Sequence, residues 1–126
     1  MTCVFDASAL LAILFDERGS DVAIESARGA SISAVNMIEV LEKFAVKWGD
    51  MVTAIDAVRR LEMTVEPFDS RQARIAAELK PGFVGKNISL ADRACMALAL
   101  DRRLPIITAD QAWADLEIGI DIRMIR

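Results

Sequence analysis

The sequence predicts an α/β protein, a three-layer α/β/α sandwich with a central, mostly parallel sheet of four to five strands. Two observations predict it. Short β-prone runs recur along the chain, each separated from the next by segments of helical apolar spacing. The runs are also almost wholly apolar rather than alternating, which marks strands covered on both faces, as in parallel sheets. With 126 residues and no repeat, low-complexity tract or linker, one domain over 1–126 is expected.

The first strand is Thr2–Phe5, ending at Asp6. Ala7–Phe15 continues as helix with Asp6 or Ser8 as cap, and stops near Gly19. Asp21–Ala27 forms a second helix closed by Gly29 as a C′ glycine, and Ala30–Ala34 a second strand. From about Val35 to Trp48 the apolar residues Ile38, Leu41, Phe44, Ala45 and Trp48 recur at helical spacing, and Gly49-Asp50 ends that helix. Met51–Glu62 is amphipathic through Val52, Ile55, Val58 and Leu61. Met63–Phe68 is a third strand, with Pro67 at its end or on a sheet edge.

Asp69 or Ser70 caps a helix running to Leu79. Lys80–Ile88, with two glycines and a proline, is the main loop. Ser89–Leu104 is apolar almost all round, as expected of a helix buried within a larger fold. Leu104–Ala109 is a fourth strand ending at Asp110, Gln111–Leu116 a short helix, and Ile118–Ile125 a fifth strand.

Composition narrows the chemistry. The chain has no histidine and no tyrosine, which removes an imidazole base, a tyrosyl nucleophile and a His-containing zinc site. Whatever it catalyses must run on carboxylates, amides, hydroxyls and cations. Cys3 and Cys95 lie in apolar segments and read as small core residues of a cytoplasmic protein rather than a disulfide. The apolar run Ala7–Phe15 falls far short of the ~18–20 residues of a membrane span, and no Lys or Arg precedes it to form the start of a signal peptide. At 54% hydrophobic, the chain carries apolar surface enough for a self- or partner interface. The net charge of −4 argues mildly against nucleic acid, but bound divalent ions would cancel converging acids locally.

Asp92 lies on the same helical stripe as Cys95, Met96 and Ala99. A carboxylate there must be capping, paired or metal-bound, because burying it alone is expensive. Capping by Ser89 and Asp92 as a reciprocal box explains it locally. The other acids widen the choice. In an open parallel sheet, ligands bind beyond the carboxyl ends of the strands, where strand order switches. Asp6 follows the first strand and Asp110 the fourth, while Glu39 and Asp92 sit in the first turns of helices starting at that edge. Acids gathered there repel one another unless a hard cation neutralises them. Mg²⁺ or Mn²⁺ suits oxygen ligands, and Mg²⁺ takes one or two carboxylates directly. Ser8 can hold a carboxylate or phosphate oxygen through its hydroxyl, or cap the helix.

The segments Phe5-Asp6-Ala7-Ser8-Ala9-Leu10, Asn36-Met37-Ile38-Glu39-Val40, Ser89-Leu90-Ala91-Asp92-Arg93-Ala94 and Ile107-Thr108-Ala109-Asp110 resemble, in order and spacing, the motifs of PIN-domain ribonucleases. Among these the chain is most similar to the VapC toxins of prokaryotic toxin–antitoxin pairs, over essentially its whole length. The resemblance implies a catalytic quartet of Asp6, Glu39, Asp92 and Asp110, with Asp6 and Asp92 as metal ligands. It implies Mg²⁺- or Mn²⁺-dependent endonucleolytic cleavage of RNA and inhibition by a cognate antitoxin; the apolar-rich composition, with an exposed anionic cluster, adds the expectation of a homodimer. Where some relatives carry a further acid this chain has Ala112, and Asp115 stays outside the expected site. Ser8, Lys86, Asn87 and Arg93 are the candidates for substrate-phosphate contact.

Three rivals remain on the same scaffold. A dehalogenase-type phosphatase wants a second Asp where this chain has Ser8. A receiver domain wants paired acids after strand one and a lysine after strand five, which are missing. A catalytically silent interaction domain is opposed by the intact acidic quartet.

Overall fold

A computed structural model describes residues 2–126. Five strands form one sheet of order β3-β2-β1-β4-β5, and every neighbouring pair is parallel. In chain order the elements are β1 (Val4–Phe5), α1 (Ala7–Leu14), α2 (Ser20–Ala27), β2 (Ser31–Ser33), α3 (Ala34–Trp48), α4 (Val52–Arg60), β3 (Thr64–Glu66), α5 (Ser70–Leu79), α6 (Leu90–Arg102), β4 (Ile106–Thr108) and β5 (Ile122–Met124). From β1 the chain builds outward through β2 to β3, then returns to the other side of β1 for β4 and β5. The order therefore reverses between β1 and β4, and the crevice of a doubly wound sheet opens there.

The two faces of the sheet bury different sets of residues. Val4 pairs with Ile106, and both enter a core with Cys95, Met96, Leu98 and Trp113, under α6. Phe5, Ile32 and Ile107 point the other way, into the larger core filled by α1–α4. These strands are apolar on both faces because both faces are covered, as the sequence predicts. The strands are two or three residues long, shorter than the predicted runs, because the ladder ends where helices take over the backbone hydrogen bonds. Ser33, placed inside the predicted second strand, already caps α3 by accepting from the Val35 N–H (3.2 Å).

Two readings of helical faces are corrected. In α3 the buried residues are Asn36, Met37, Val40 and Phe44, whereas Ile38 and Trp48 are exposed. In α4 Ala54 and Val58 are buried, while Val52 and Ile55 face outward. Both helices are apolar over more than one face, so spacing alone pointed to the wrong flank. The loop Lys80–Ile88 begins as a 3₁₀ turn over Lys80–Phe83, pinned at its two buried residues, Phe83 and Ile88. The short segment after Asp110 is likewise a 3₁₀ turn, Gln111–Trp113, rather than a helix to Leu116. Among the described residues, no helix is long and apolar enough to cross a membrane.

Candidate active site at the carboxyl edge of the sheet

Asp6 is the buried centre of the crevice, only 5% exposed. It ends β1 and caps α1, accepting at Oδ1 from the Ala9 N–H (3.0 Å). The Ser8 hydroxyl donates to the same carboxylate (2.7 and 2.9 Å to its two oxygens). The Thr108 hydroxyl donates to Oδ2 from the end of β4 (2.6 Å). Ser8 in turn accepts from the Ala109 N–H (2.9 Å), so α1 and β4 are stitched together around one carboxylate. Burial dominates its acidity and pushes Asp6 up to about 6, against the hydrogen bonds from Thr108, Ser8 and Ala9, with the nearby Asp92 charge adding to the rise.

Asp110 caps the following 3₁₀ turn by accepting at Oδ1 from the Ala112 N–H (3.0 Å). Its own N–H donates to Thr108 Oγ1 (3.0 Å). Asp92 completes the capping box with Ser89: the Ser89 N–H donates to Asp92 Oδ2 (2.9 Å) and the Asp92 N–H to Ser89 Oγ (3.0 Å). Glu39, one turn into α3, accepts from Asn36 Nδ2 (3.4 Å). Burial raises the pKa of both Glu39 and Asp92, with the Asp92 charge adding to the rise at Glu39 and the Asp110 charge to that at Asp92. The two readings of these acids from sequence, cap and site, are therefore compatible. Capping takes one oxygen of Asp92 and one of Asp110, and orients the carboxylate.

All four acids, together with Ser8, line one cavity of about 110 Å³ at the β1–β4 switch. Among the described residues no three His, Cys, Asp or Glu side chains are close enough to form a finished metal cage. The donor set nonetheless fits a hard divalent ion: it is all oxygen. Among the described residues, Asp92 Oδ1, Asp110 Oδ2 and Glu39 Oε2 carry no hydrogen bond. An ion that keeps several waters needs only one or two of these carboxylates directly.

The predicted phosphate contacts are not brought together. Arg93 leans away onto α5, its guanidinium donating to the Ala76 carbonyl (2.8 Å). Lys86 and Asn87 are exposed on their loop and do not line the acidic cavity. Three residues were missed. Thr108 orders two of the acids, and its signal was the Thr-x-Asp spacing at the end of β4. Asn36, 1% exposed, bridges α3 to the first turn of α6 by also donating from Nδ2 to the Ala91 carbonyl (2.9 Å). Lys43, four residues after Glu39, is the cation that lines the cavity.

The PIN domain family model matches residues 3–118. No curated protein sequence is significantly similar to the chain. Among solved structures, a toxin–antitoxin complex from Klebsiella pneumoniae superposes with a TM-score of 0.77 at 20% identity, covering 91% of this chain and 92% of that one. DNA-bound VapBC from Salmonella typhimurium gives 0.78 at 14% identity, covering 100% and 99%. VapC20 of Mycobacterium tuberculosis, a toxin that cleaves the sarcin–ricin loop, gives 0.72 at 15% identity, covering 95% and 99%.

Proposed function

The chain belongs to the PIN-domain family, and from that premise we propose that it is a Mg²⁺- or Mn²⁺-dependent endoribonuclease, the toxin of a type II toxin–antitoxin pair. The observation that carries the proposal is the cavity at the β1–β4 switch, lined by Asp6, Glu39, Asp92 and Asp110 in a chain without histidine. Asp6 and Asp92 would hold the ion. When bound, it would supply an acidified water as nucleophile and Lewis-acid stabilisation of the phosphoryl oxygens.

The chain's own groups do the rest. Ser8, Thr108 and the Ala9 N–H fix the Asp6 carboxylate, so little reorganisation is needed on binding. Glu39, half-buried and with raised affinity for a proton, is the group that would accept one from the attacking water. Asp110, held by its cap, would orient the same water or the leaving oxygen. The solved relatives include a sarcin–ricin-loop-cleaving toxin and toxin–antitoxin complexes, which supports RNA as substrate and an antitoxin as partner. The exposed apolar residues Val46, Trp48, Met51, Val52 and Ile55 on and between α3 and α4 support a homodimer or antitoxin interface.

The test is cleavage of total RNA by purified protein with Mg²⁺, Mn²⁺ or EDTA, mapped to the nucleotide. Metal-dependent cuts absent from Asp6→Asn are expected. Equal cleavage by that variant, or none by the wild type in either metal, would overturn the proposal.

A further inference from the structure

The acidic cavity is not closed on its α3 side. Lys43, one turn beyond Glu39, lines it. The same Lys43 lines a second depression of about 440 Å³ with Phe15, Glu42, Val46 and Lys47. The two depressions meet at Lys43, and the second forms a groove between the end of α1 and α3. Lys43 and Lys47 are four residues apart, so they stand on one face of α3, about 6 Å apart along its axis. Both are exposed, and among the described residues neither is in an ion pair. Lys47 instead rests 4.6 Å from the centroid of the Phe15 ring, which stacks on Phe44.

A polyanion entering a cavity lined by four carboxylates is repelled unless cations meet it at the mouth. The cations expected for this from sequence are elsewhere: Arg93 is bonded to Ala76, and Lys86 lies off the cavity. The groove supplies what is missing. Its α3 wall carries two ammonium groups that form no ion pair among the described residues, spaced to meet successive phosphates of an extended strand, and its floor carries Leu11 of α1 and Phe15 just beyond it. A cationic wall beside an apolar strip suits single-stranded nucleic acid, whose backbone follows the lysines; the Phe15 ring, covered by Phe44 and Lys47, anchors that wall rather than stacking a base.

We propose, resting on the ribonuclease reading above, that Lys43 and Lys47 are the phosphate contacts of the substrate, and that the α1–α3 groove is the track along which single-stranded RNA leaves the acidic cavity. Lys43 serves the phosphate next to the one attacked, and Lys47 the one beyond it.

The experiment is anisotropy of a short fluorescein-labelled single-stranded RNA of mixed sequence, titrated with full-length protein in EDTA at several salt concentrations. Each of Lys43→Gln and Lys47→Gln should weaken binding and reduce the slope of log K against log salt by about 0.7, the value for one phosphate contact on a single strand. Lys43→Arg should restore the slope, and Arg60→Gln on the far end of α4 should leave it unchanged. In Mg²⁺, Lys47→Gln should raise KM with kcat unchanged. Wild-type slope and KM in both glutamine variants would overturn the track, and is the result expected if the groove takes a partner protein instead. A wild type that neither binds nor cuts RNA would overturn the ribonuclease reading itself.

Discussion

Thr108 at the end of β4 donates a 2.6 Å hydrogen bond to the carboxylate of Asp6 at the end of β1, directly across the point where strand order reverses. The same hydroxyl oxygen accepts from the Asp110 N–H. One buried side chain therefore sets the positions of two of the four acids.

Thr108→Val keeps the shape and removes that hydroxyl. It leaves the buried Asp6 with one donor fewer and the Asp110 N–H without its acceptor, at a cost of about 1–3 kcal/mol. Chemical denaturation should show the loss. Thr108→Ser, which keeps the hydroxyl, should recover most of it. Equal loss in both variants would mean that the methyl packing, not the hydrogen bond, matters at this position.

The acidity of Asp6 makes a pH-dependent prediction for the metal-free protein. Its folded-state value, about 6, lies above the ordinary carboxyl value of 3.8, so between these limits the folded chain holds a proton that the unfolded chain has released. Its contribution to stability is therefore greatest below about pH 4 and declines as pH rises to about 6. At 1.36 kcal/mol per pH unit the decline is about 3 kcal/mol. Glu39 and Asp92 are shifted in the same direction. In EDTA, Asp6→Asn should be more stable than wild type at pH 7.5, and the gap should close toward pH 4. A gap that widens on acidification would reverse the sign assigned to Asp6.

Metal should relieve the same strain. Mg²⁺ or Mn²⁺ binding only the folded chain stabilises it by mass action, about 2.7 kcal/mol at a hundredfold excess over Kd. The melting temperature of wild type should rise accordingly at pH 7.5. The double variant Asp6→Asn with Asp92→Asn should fold, since asparagine oxygens can still cap both helices, and should show no rise. An equal rise in the double variant would place the ion elsewhere.

The parallel sheet was legible because strands buried on both faces leave no alternation, and Val4, Ile106, Phe5 and Ile107 fill both cores. The acids Asp6, Glu39, Asp92 and Asp110 were legible because each stands where a strand ends or a helix begins, and topology brings those positions to one cavity. What periodicity could not resolve was the packing of α3. That helix presents Met37, Val40 and Phe44 to the core yet leaves Ile38, Val46 and Trp48 exposed, so hydrophobicity does not mark its inner side. Arg93 was placed near substrate by its neighbour Asp92, but one residue along a helix turns a side chain by about 100°, and here that turn carries it onto α5.

Glu39 and Glu42 lie on one helix three residues apart, and their environments differ as their roles should. Glu39 is half-buried, lines the acidic cavity and accepts from Asn36, and burial raises its affinity for a proton. Glu42 is exposed and lines only the outer groove. Three residues move it about 4.5 Å along the helix axis, away from the strand ends that carry Asp6 and Asp110. A group that binds the metal or its water is worth at least about 10-fold in activity, since changes one shell further out already cost 10–100-fold. An exposed surface acid contributes almost nothing to stability. Glu39→Gln keeps size and hydrogen-bonding capacity while removing the charge, so it should abolish most Mg²⁺-dependent RNA cleavage and relieve growth inhibition in an expressing host, with the melting temperature unchanged or raised. Glu42→Gln should retain both activities. Removing its charge from the rim of the lysine-lined groove should, if anything, lower KM. Equal losses in the two variants, or loss confined to Glu42→Gln, would show that the catalytic acid of α3 has been misassigned.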